Sequence, residues 1–141
     1  MRFWDASALV PLILREASTA AMRSLYQADP QIVDWWGTRV ECSSAIVRRA
    51  REGQLDGASE TLARGRLRLL LDVAEEVAPS EDVRDRAERA LAVHPLRAAD
   101  ALQLGAALVW ARDRTRDREF VSLDGRLREA AQREGFTLLP A

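Results

Sequence analysis

The stretch "LRAADALQLGAALVWA", residues 96–111, is rich in alanine and carries its apolar side chains at helical spacing. It predicts an apolar helix from Ala98 to about Arg112. The first turn of this helix nevertheless holds a carboxylate, Asp100. Why so apolar a helix begins with an acid depends on the elements that surround it.

Strands and helices alternate along the rest of the chain. The first strand is predicted at residues 2–4, and Asp5 lies where a helix takes over. Further strands are predicted at residues 31–35, 120–123 and 136–139. Further helices are predicted at residues 19–27, 38–51, 58–77, 81–91 and 127–133, with Thr38 and Ser80 as N-caps. Such alternation predicts an α/β fold with a mostly parallel sheet covered by helices.

Composition limits the class of protein. The 141 residues, 48% of them hydrophobic, predict a single domain over residues 1–141. The formal net charge is −1, so any contact with nucleic acid must come from a local basic patch. All 21 basic residues are arginine, and Cys42 is the one cysteine, which predicts a reducing, cytoplasmic compartment. The apolar run at residues 6–14 is too short to span a membrane, so no membrane contact is expected.

Four acidic residues have positions that would bring them to one edge of the sheet. Asp5 ends the first strand, and Asp124 follows the strand at residues 120–123. Asp100 and Glu41 lie in the first turns of their helices. In a parallel sheet, the strand ends and the starts of the following helices share one edge, where ligands bind. The four carboxylates are therefore predicted to converge.

Helix capping is the alternative explanation for the three aspartates. A carboxylate at a helix start accepts backbone N–H bonds and complements the helix dipole, which explains any one of them alone. Glu41 fits capping less well, because it lies beyond the predicted cap at Thr38. A converging cluster would repel itself without a cation, and oxygen ligands with no histidine or cysteine cluster select Mg²⁺ or Mn²⁺ over zinc.

The absence of lysine narrows the chemistry further. Magnesium held by carboxylates usually binds substrate phosphates. Receiver domains and haloacid-dehalogenase-type phosphatases also place acids beside Mg²⁺, but both need a lysine, and a P-loop needs Gly-Lys-Ser/Thr. Hydrolysis of a phosphate ester or diester by a metal-activated water needs no covalent intermediate, and it remains.

Four segments follow one another from the first strand to the last: "FWDASALVPLILRE", "TRVECSSAIVRRAREG", "LRAADALQLGAAL" and "FVSLDGRLREAA". In this order they resemble the successive motifs of PIN-domain ribonucleases, most closely the VapC toxins of bacterial toxin–antitoxin pairs. The resemblance covers essentially the whole chain. It implies a PIN-like three-layer fold, with a parallel sheet flanked by helices, and Mg²⁺- or Mn²⁺-dependent endonucleolytic cleavage of RNA. It also implies a homodimer and a VapB-type antitoxin as partner.

The resemblance assigns a role to each acid. Asp5 and Asp100 would be the main metal ligands, and Asp124 would support them or hold a second ion. Glu41 would orient or deprotonate the attacking water. Ser7 matches a hydroxyl residue two places after the first aspartate and would orient Asp5 or a bound water.

Several positions depart from the family pattern or have open roles. Gln103 stands where many relatives have histidine, and Ser122 stands where threonine is frequent. Arg97 would contact a phosphate or be a solvated residue before the helix. A basic stretch with no acid in it is a further candidate for RNA contact, and it comprises Arg64, Arg66 and Arg68.

Two other functions stay open at this point. The chain would be a PIN-like module that binds RNA or protein without cutting, or a housekeeping PIN nuclease without an antitoxin. Retention of all four acids argues against the non-catalytic module. A small reading frame that overlaps this gene upstream would favour a toxin over a housekeeping nuclease.

Overall fold

Five short parallel strands form one sheet. The computed structural model describes every residue from Met1 to Ala141. The strands are β1 (Arg2–Trp4), β2 (Ile32–Trp35), β3 (Glu75–Val77), β4 (Glu119–Val121) and β5 (Thr137–Leu139). Their order in the sheet is β3-β2-β1-β4-β5, and every pairing is parallel. The first strand is therefore central, and its carboxyl end lies between those of β2 and β4.

Seven helices cover the sheet on both sides. They are α1 (Ala6–Ile13), α2 (Thr19–Ala28), α3 (Thr38–Arg51), α4 (Gly57–Leu71), α5 (Glu81–Val93), α6 (Ala98–Ala111) and α7 (Gly125–Arg133). Residues of α1 to α4 form one hydrophobic core with the sheet, and residues of α5 to α7 form the other. The predicted α/β fold, a parallel sheet flanked by helices in three layers, is confirmed.

The central strand contributes to both cores because its side chains alternate. Phe3 belongs to the core beneath α5 to α7, where its ring stacks on Phe120 with centroids 5.2 Å apart. Trp4 belongs to the core on the other side, and both residues are fully buried. Strand β1 therefore contributes one aromatic side chain to each core, and the first acid follows directly after the strand.

Small side chains let α6 pack closely against α5. A Cβ atom on Gly105 would lie 2.8 Å from the carbonyl oxygen of Val83 and 3.0 Å from the backbone nitrogen of Ala87. Most of α6 between Ala101 and Leu108 is buried. The alanine-rich composition thus serves the close approach of two helices, and Asp100 lies at the half-buried start of the helix.

Two sequence predictions about elements are wrong. The helix predicted at residues 58–77 ends at Leu71, and Glu75–Val77 forms strand β3 instead. This edge strand exposes both of its glutamates, so it lacks the apolar alternation that identifies a strand in sequence. Thr38 is not the N-cap of α3, because Gly37 holds that position and Thr38 begins the helix with a buried side chain.

The other predicted elements are present, and their ends differ from the predicted ones by no more than two residues. Ser80 caps α5 as expected, since its hydroxyl accepts the N–H of Val83 at 3.2 Å. None of the seven helices has the length and apolar character needed to cross a membrane.

Candidate active site

The four predicted acids lie at the carboxyl edge of the sheet. Asp5 directly follows β1, and its backbone N–H donates to the carbonyl oxygen of Val121 at the end of β4. Asp124 is the N-cap of α7, which follows β4. Asp100 and Glu41 lie in the first turns of α6 and α3. Four different helix starts thus supply one acid each to the same edge.

Asp5 is buried and well hydrogen-bonded. It is only 4% exposed, and Ser7 donates its hydroxyl to Oδ1 at 2.8 Å and its backbone N–H to Oδ2 at 3.3 Å. Burial raises the pKa of Asp5 to about 7, the bonds from Ser7 oppose that shift, and the charge of Glu41 adds to it. A positive ligand next to this carboxyl would favour its ionised form.

Two hydroxyl groups connect Asp5 to the segment around Asp124. The Oγ of Ser7 accepts the N–H of Leu123 at 2.8 Å and lies 3.4 Å from the Oγ of Ser122. Ser122 is fully buried, and its Oγ accepts the N–H of Asp124 at 3.1 Å. These bonds hold the loop after β4 against the start of α1.

Capping accounts for part of this arrangement. Asp5 caps α1, and the Oδ1 of Asp124 accepts the N–H of Leu127 at 2.8 Å as the cap of α7. Asp100 is not a cap, because it lies inside α6, whose N-cap position is held by Arg97. Capping therefore explains two of the three aspartates, and Asp100 lies in the first turn of α6, where a carboxylate complements the helix dipole and the backbone N–H of Arg97 favours its charged form.

Glu41 is half-buried and held by a glutamine from a neighbouring helix. The Nε2 of Gln103 donates to Oε1 of Glu41 at 3.1 Å and to Oγ1 of Thr38 at 3.0 Å. Burial raises the pKa of Glu41, the bond from Gln103 lowers it, and the charge of Asp100 raises it. The sequence singled out Gln103 only as a departure from the family pattern, and nothing in it indicated this bond.

Asp100 is half-buried between an acid and two basic residues. Burial and the charge of Asp124 raise the pKa of Asp100, whereas the charges of Arg97 and Arg126 lower it. Arg97 is exposed at the start of α6, as is Arg126 in the first turn of α7. The sequence interpretation named Arg97 and missed Arg126, which carries no motif and is recognisable only once α6 and α7 are adjacent.

The acids are linked electrostatically in a series. The charge of Glu41 raises the pKa of Asp5, that of Asp100 raises the pKa of Glu41, and that of Asp124 raises the pKa of Asp100. None of the four forms an ion pair. As the side chains stand, no three acidic, histidine or cysteine groups are close enough to hold one metal ion. The acids therefore share an edge without surrounding a common point.

The donor atoms at this edge are oxygens. Cys42 is fully buried, and its burial, followed by the charges of Glu41, Asp5 and Asp34, raises the pKa of its thiol, so it stays protonated. The one histidine, His94, lies at the C-terminal end of α5 and bonds to Glu134 at 2.8 Å. Oxygen donors without thiolate or imidazole suit Mg²⁺ or Mn²⁺ and not zinc.

Three adjacent cavities, together called the groove, lie along α3, and Glu41 is the one acid of the four that borders them. One cavity of about 490 Å³ is bordered by Ser7, Glu41 and Arg48. Two further cavities, of about 710 and 470 Å³, continue along the same helix, and Arg48 lines both of them. Arg48 is exposed and forms none of the ion pairs of the protein, whereas the adjacent Arg49 is paired with Glu16. Val40, at the start of the groove, is 67% exposed.

The basic stretch on α4 is not brought to this edge as a unit. Arg64 pairs with Glu60 one turn earlier on the same helix. Arg66 lines a cavity with Arg15 and Arg23 near the C-terminal end of α1, whereas Asp5 caps the N-terminal end of that helix. The predicted RNA contact of these arginines therefore remains a prediction for a separate surface.

Comparison with known proteins identifies the fold. Neither a protein-family model nor a curated protein sequence matches the chain. Among solved structures, the chain is similar to Mycobacterium tuberculosis VapC20, a sarcin–ricin loop cleaving toxin, with 17% identity, 97% of each chain covered and a TM-score of 0.69. It is also similar to a toxin–antitoxin complex from Klebsiella pneumoniae, with 18% identity, 88% and 87% of the chains covered and a TM-score of 0.62. The chain thus has the fold of VapC toxins.

Proposed function

We propose that this chain is a Mg²⁺- or Mn²⁺-dependent endoribonuclease and the toxin of a type II toxin–antitoxin pair. The observation that carries the proposal is the position of the four acids, which come from four helix starts to one edge of the sheet. In addition to burial, the charge of a neighbouring acid raises the pKa of Asp5, Glu41 and Asp100. The fold shared with a toxin that cleaves the sarcin–ricin loop supports the same kind of reaction.

The chemistry of the acids fits a hard divalent cation. Asp5, Asp100 and Asp124 would hold the ion, and its charge would oppose the burial and the Asp124 charge that raise the pKa of Asp100. Asp100 and Asp124 are only half-buried, so their side chains have room to turn toward Asp5, which is fixed by Ser7. When bound, the ion supplies the positive charge that activates a water and stabilises the charge that builds on the phosphate.

The protein's own groups position the remaining parts of the reaction. Glu41 has a raised pKa and is held in place by Gln103, which suits a carboxylate that accepts a proton from the attacking water. Ser7 keeps Asp5 in one orientation through its two bonds. Arg97 and Arg126 bring positive charge beside Asp100, where a phosphate would need it.

The groove along α3 supports a strand-shaped, anionic substrate. It begins beside Glu41 and Ser7, and its three cavities share the exposed, unpaired Arg48. Arg48 lies seven residues, or about two helical turns, from Glu41, which places it roughly 10 Å along the helix. An RNA backbone that follows this groove would bring a phosphate to Arg48 while another lies at the acids.

The first experiment is cleavage of total cellular RNA by the purified protein with Mg²⁺, with Mn²⁺ and with EDTA. We expect cutting that depends on the metal and that is lost in Asp5→Asn and in Asp100→Asn, since each change removes a negative charge from the ion site. Thermal unfolding of each variant checks that the fold is intact.

Asp117→Asn is the matched control for these variants. Asp117 lies in the exposed, charged loop before β4, and the same chemical change there should leave cutting unaltered. Absence of cutting by the wild type, together with no rise in melting temperature on addition of metal, would contradict the nuclease and favour the non-catalytic binding module.

The toxin role has its own test. The complex of related fold from Klebsiella pneumoniae contains an antitoxin, which supports a VapB-type partner for this chain. Expression of the chain in bacteria should arrest growth, and co-expression of a small protein encoded immediately upstream should restore it. Normal growth in spite of active nuclease would favour the housekeeping alternative. Sedimentation of the purified chain tests the expected homodimer.

A further inference from the structure

A buried glutamine bridges the two helices that carry Asp100 and Glu41. Gln103 follows Asp100 by three residues on α6, so both side chains lie on the same face of that helix. Gln103 is 1% exposed, and its Nε2 donates to Oγ1 of Thr38 at 3.0 Å and to Oε1 of Glu41 at 3.1 Å. Both acceptors belong to the first turn of α3. One amide group therefore joins the starts of α6 and α3 directly behind the acids.

We propose that Gln103 is a positioning residue, whose side-chain amide holds the Glu41 carboxylate in the orientation that accepts a proton from the attacking water. The inference rests on the proposed nuclease function, in which Glu41 serves that water. It adds a residue of α6 that holds Glu41 in place by a hydrogen bond, as Ser7 holds Asp5.

The cost of burying this amide indicates that it is present for more than packing. The Oε1 of Gln103 is buried and has no hydrogen-bond partner. A buried polar atom without a partner lowers stability, and a methionine or leucine of similar size would avoid that cost. Residues that break a local rule of stability are expected at functional sites. The bonds that Gln103 donates to Glu41 and to Thr38 are the gain that offsets its unpartnered oxygen.

The orientation of the amide is fixed by its two partners. Turning the group by half a turn would put Oε1 against the Glu41 carboxylate, where two acceptors would repel each other. Thr38 holds the nitrogen in place on the other side and is itself fully buried. Because an amide does not titrate, this donor faces Glu41 wherever that carboxylate is ionised. It opposes the burial and the Asp100 charge that raise the pKa of Glu41, and so keeps more of Glu41 ionised.

The test compares Gln103→Met with the wild type in the metal-free protein. Methionine has a similar volume and no N–H, so the bond to Glu41 is lost while the core stays filled. NMR titration of the Glu41 side-chain carboxyl should show a higher pKa in the variant. Gln132→Met, the same change at an exposed position of α7, should leave the Glu41 pKa at its wild-type value. An unchanged Glu41 pKa in Gln103→Met would overturn the inference.

A second variant restores the donor. Gln103→His places a ring N–H where the amide N–H was, so the Glu41 pKa should stay at or below the wild-type value. A further check uses the wild type alone and so does not depend on the folding of any variant. The side-chain amide protons of Gln103 should shift with the same midpoint as the Glu41 carboxyl, and their failure to do so would contradict the bond.

The effect on the reaction is measured on an RNA that the wild type cuts. Gln103→Met should lower kcat by about tenfold or more, with KM changed by less than about threefold, and move the acidic limb of the pH profile to higher pH. A purely structural role would lower the melting temperature and leave that limb in place. If the wild type cuts no RNA, the proposed function fails, and the NMR titration still decides whether Gln103 positions Glu41.

Discussion

Two buried aspartates lie at or near the carboxyl ends of neighbouring strands of this sheet, and they differ in what surrounds them. Asp5 follows β1, and Asp34 lies near the end of β2, which pairs with β1. They are 4% and 1% exposed, and burial raises the pKa of each to about 7. Ser7 donates two bonds to Asp5, whereas neither carboxylate oxygen of Asp34 has a partner.

The difference shows that burial and a raised pKa do not by themselves identify a catalytic acid. Asp5 has donors that favour its charged form and lies in a series with three other acids. The charge of Glu76 raises the pKa of Asp34 further, whereas the charge of Arg39 and the backbone N–H of Asp34 itself lower it. A cation beside Asp5 would lower the pKa of that carboxyl and favour its ionised form. Burial without a side-chain donor favours the neutral form of Asp34.

The largest expected difference is in activity. Asp5→Asn should lower RNA cleavage on the order of 10³-fold, because several kcal/mol of charge stabilisation depend on the metal site. Asp34→Asn should leave cleavage within about threefold of the wild type, since the charge of Asp34 is not among those that shift the pKa of Asp5, Glu41 or Asp100. Cleavage rates of both variants at matched thermal stability test this. Equal losses in the two variants would remove the distinction between the two aspartates.

The second difference is in stability as a function of pH. Asp34 has a folded-state pKa of about 7, above the value of about 3.9 expected in the unfolded chain. The folded state therefore binds more protons between these values, and stability falls as pH rises through that window, by about 4 kcal/mol at most. Asp34→Asn should remove this part of the slope and so be relatively more stable than the wild type at pH 8 than at pH 4.

Urea unfolding at a series of pH values measures this slope. The wild type and Asp34→Asn should converge below about pH 3, where the carboxyl is mostly protonated in both states. A variant curve parallel to that of the wild type would mean that Asp34 ionises normally in the folded protein. Part of the slope should remain in the variant, because Asp5 also has a raised pKa.

The third difference is the response to metal. A saturating divalent cation at about 100 times its Kd should add about 2.7 kcal/mol of stability to the wild type. At pH 7, Asp34→Asn should show the same rise in melting temperature, and Asp5→Asn should show little or none. Thermal melts with Mg²⁺, Mn²⁺ and EDTA measure this. A full rise in Asp5→Asn would show that the ion binds away from β1.

The sequence predicted the fold and the positions of the acids because both follow from local pattern. Alternating strands and helices indicate a parallel sheet. Because the strand ends and the starts of the following helices share one edge of such a sheet, Asp5 and Asp124 can be assigned to that edge without any knowledge of contacts. The bond between Gln103 and Glu41 joins residues 62 positions apart, and no local signal encodes it. The strand at Glu75–Val77 was missed because its pairing, and not its composition, makes it a strand.

The sequence did not indicate that Asp34 is a buried acid, for a related reason. It stands inside "IVDWW", where a charged residue in an apolar strand carries no motif and no spacing to other acids. Its complete burial depends on α3 and α4 closing over that side of the sheet. Only the structure shows that a second aspartate with a pKa of about 7 lies one strand from Asp5.

The smallest predicted effect comes from the Ser7 hydroxyl, which bonds to Asp5 and has no counterpart at Asp34. Ser7→Ala removes the 2.8 Å bond to Oδ1 of Asp5 and leaves the backbone bond to Oδ2 in place. Because that hydroxyl favours the charged carboxylate, the pKa of Asp5 should rise and cleavage at pH 7 should fall by about tenfold. Raising the pH toward 9 should recover most of the loss, because Asp5 then ionises without help.

The exposed Ser24→Ala on α2 is the matched control for Ser7→Ala and should leave the pH profile unchanged. Loss of the hydroxyl also leaves the N–H of Leu123 without its partner, so a small drop in melting temperature is expected at every pH. A loss of cleavage that does not depend on pH would assign Ser7 to holding the loop after β4. A loss that high pH reverses would show that one hydrogen-bond donor is what makes Asp5 behave differently from Asp34.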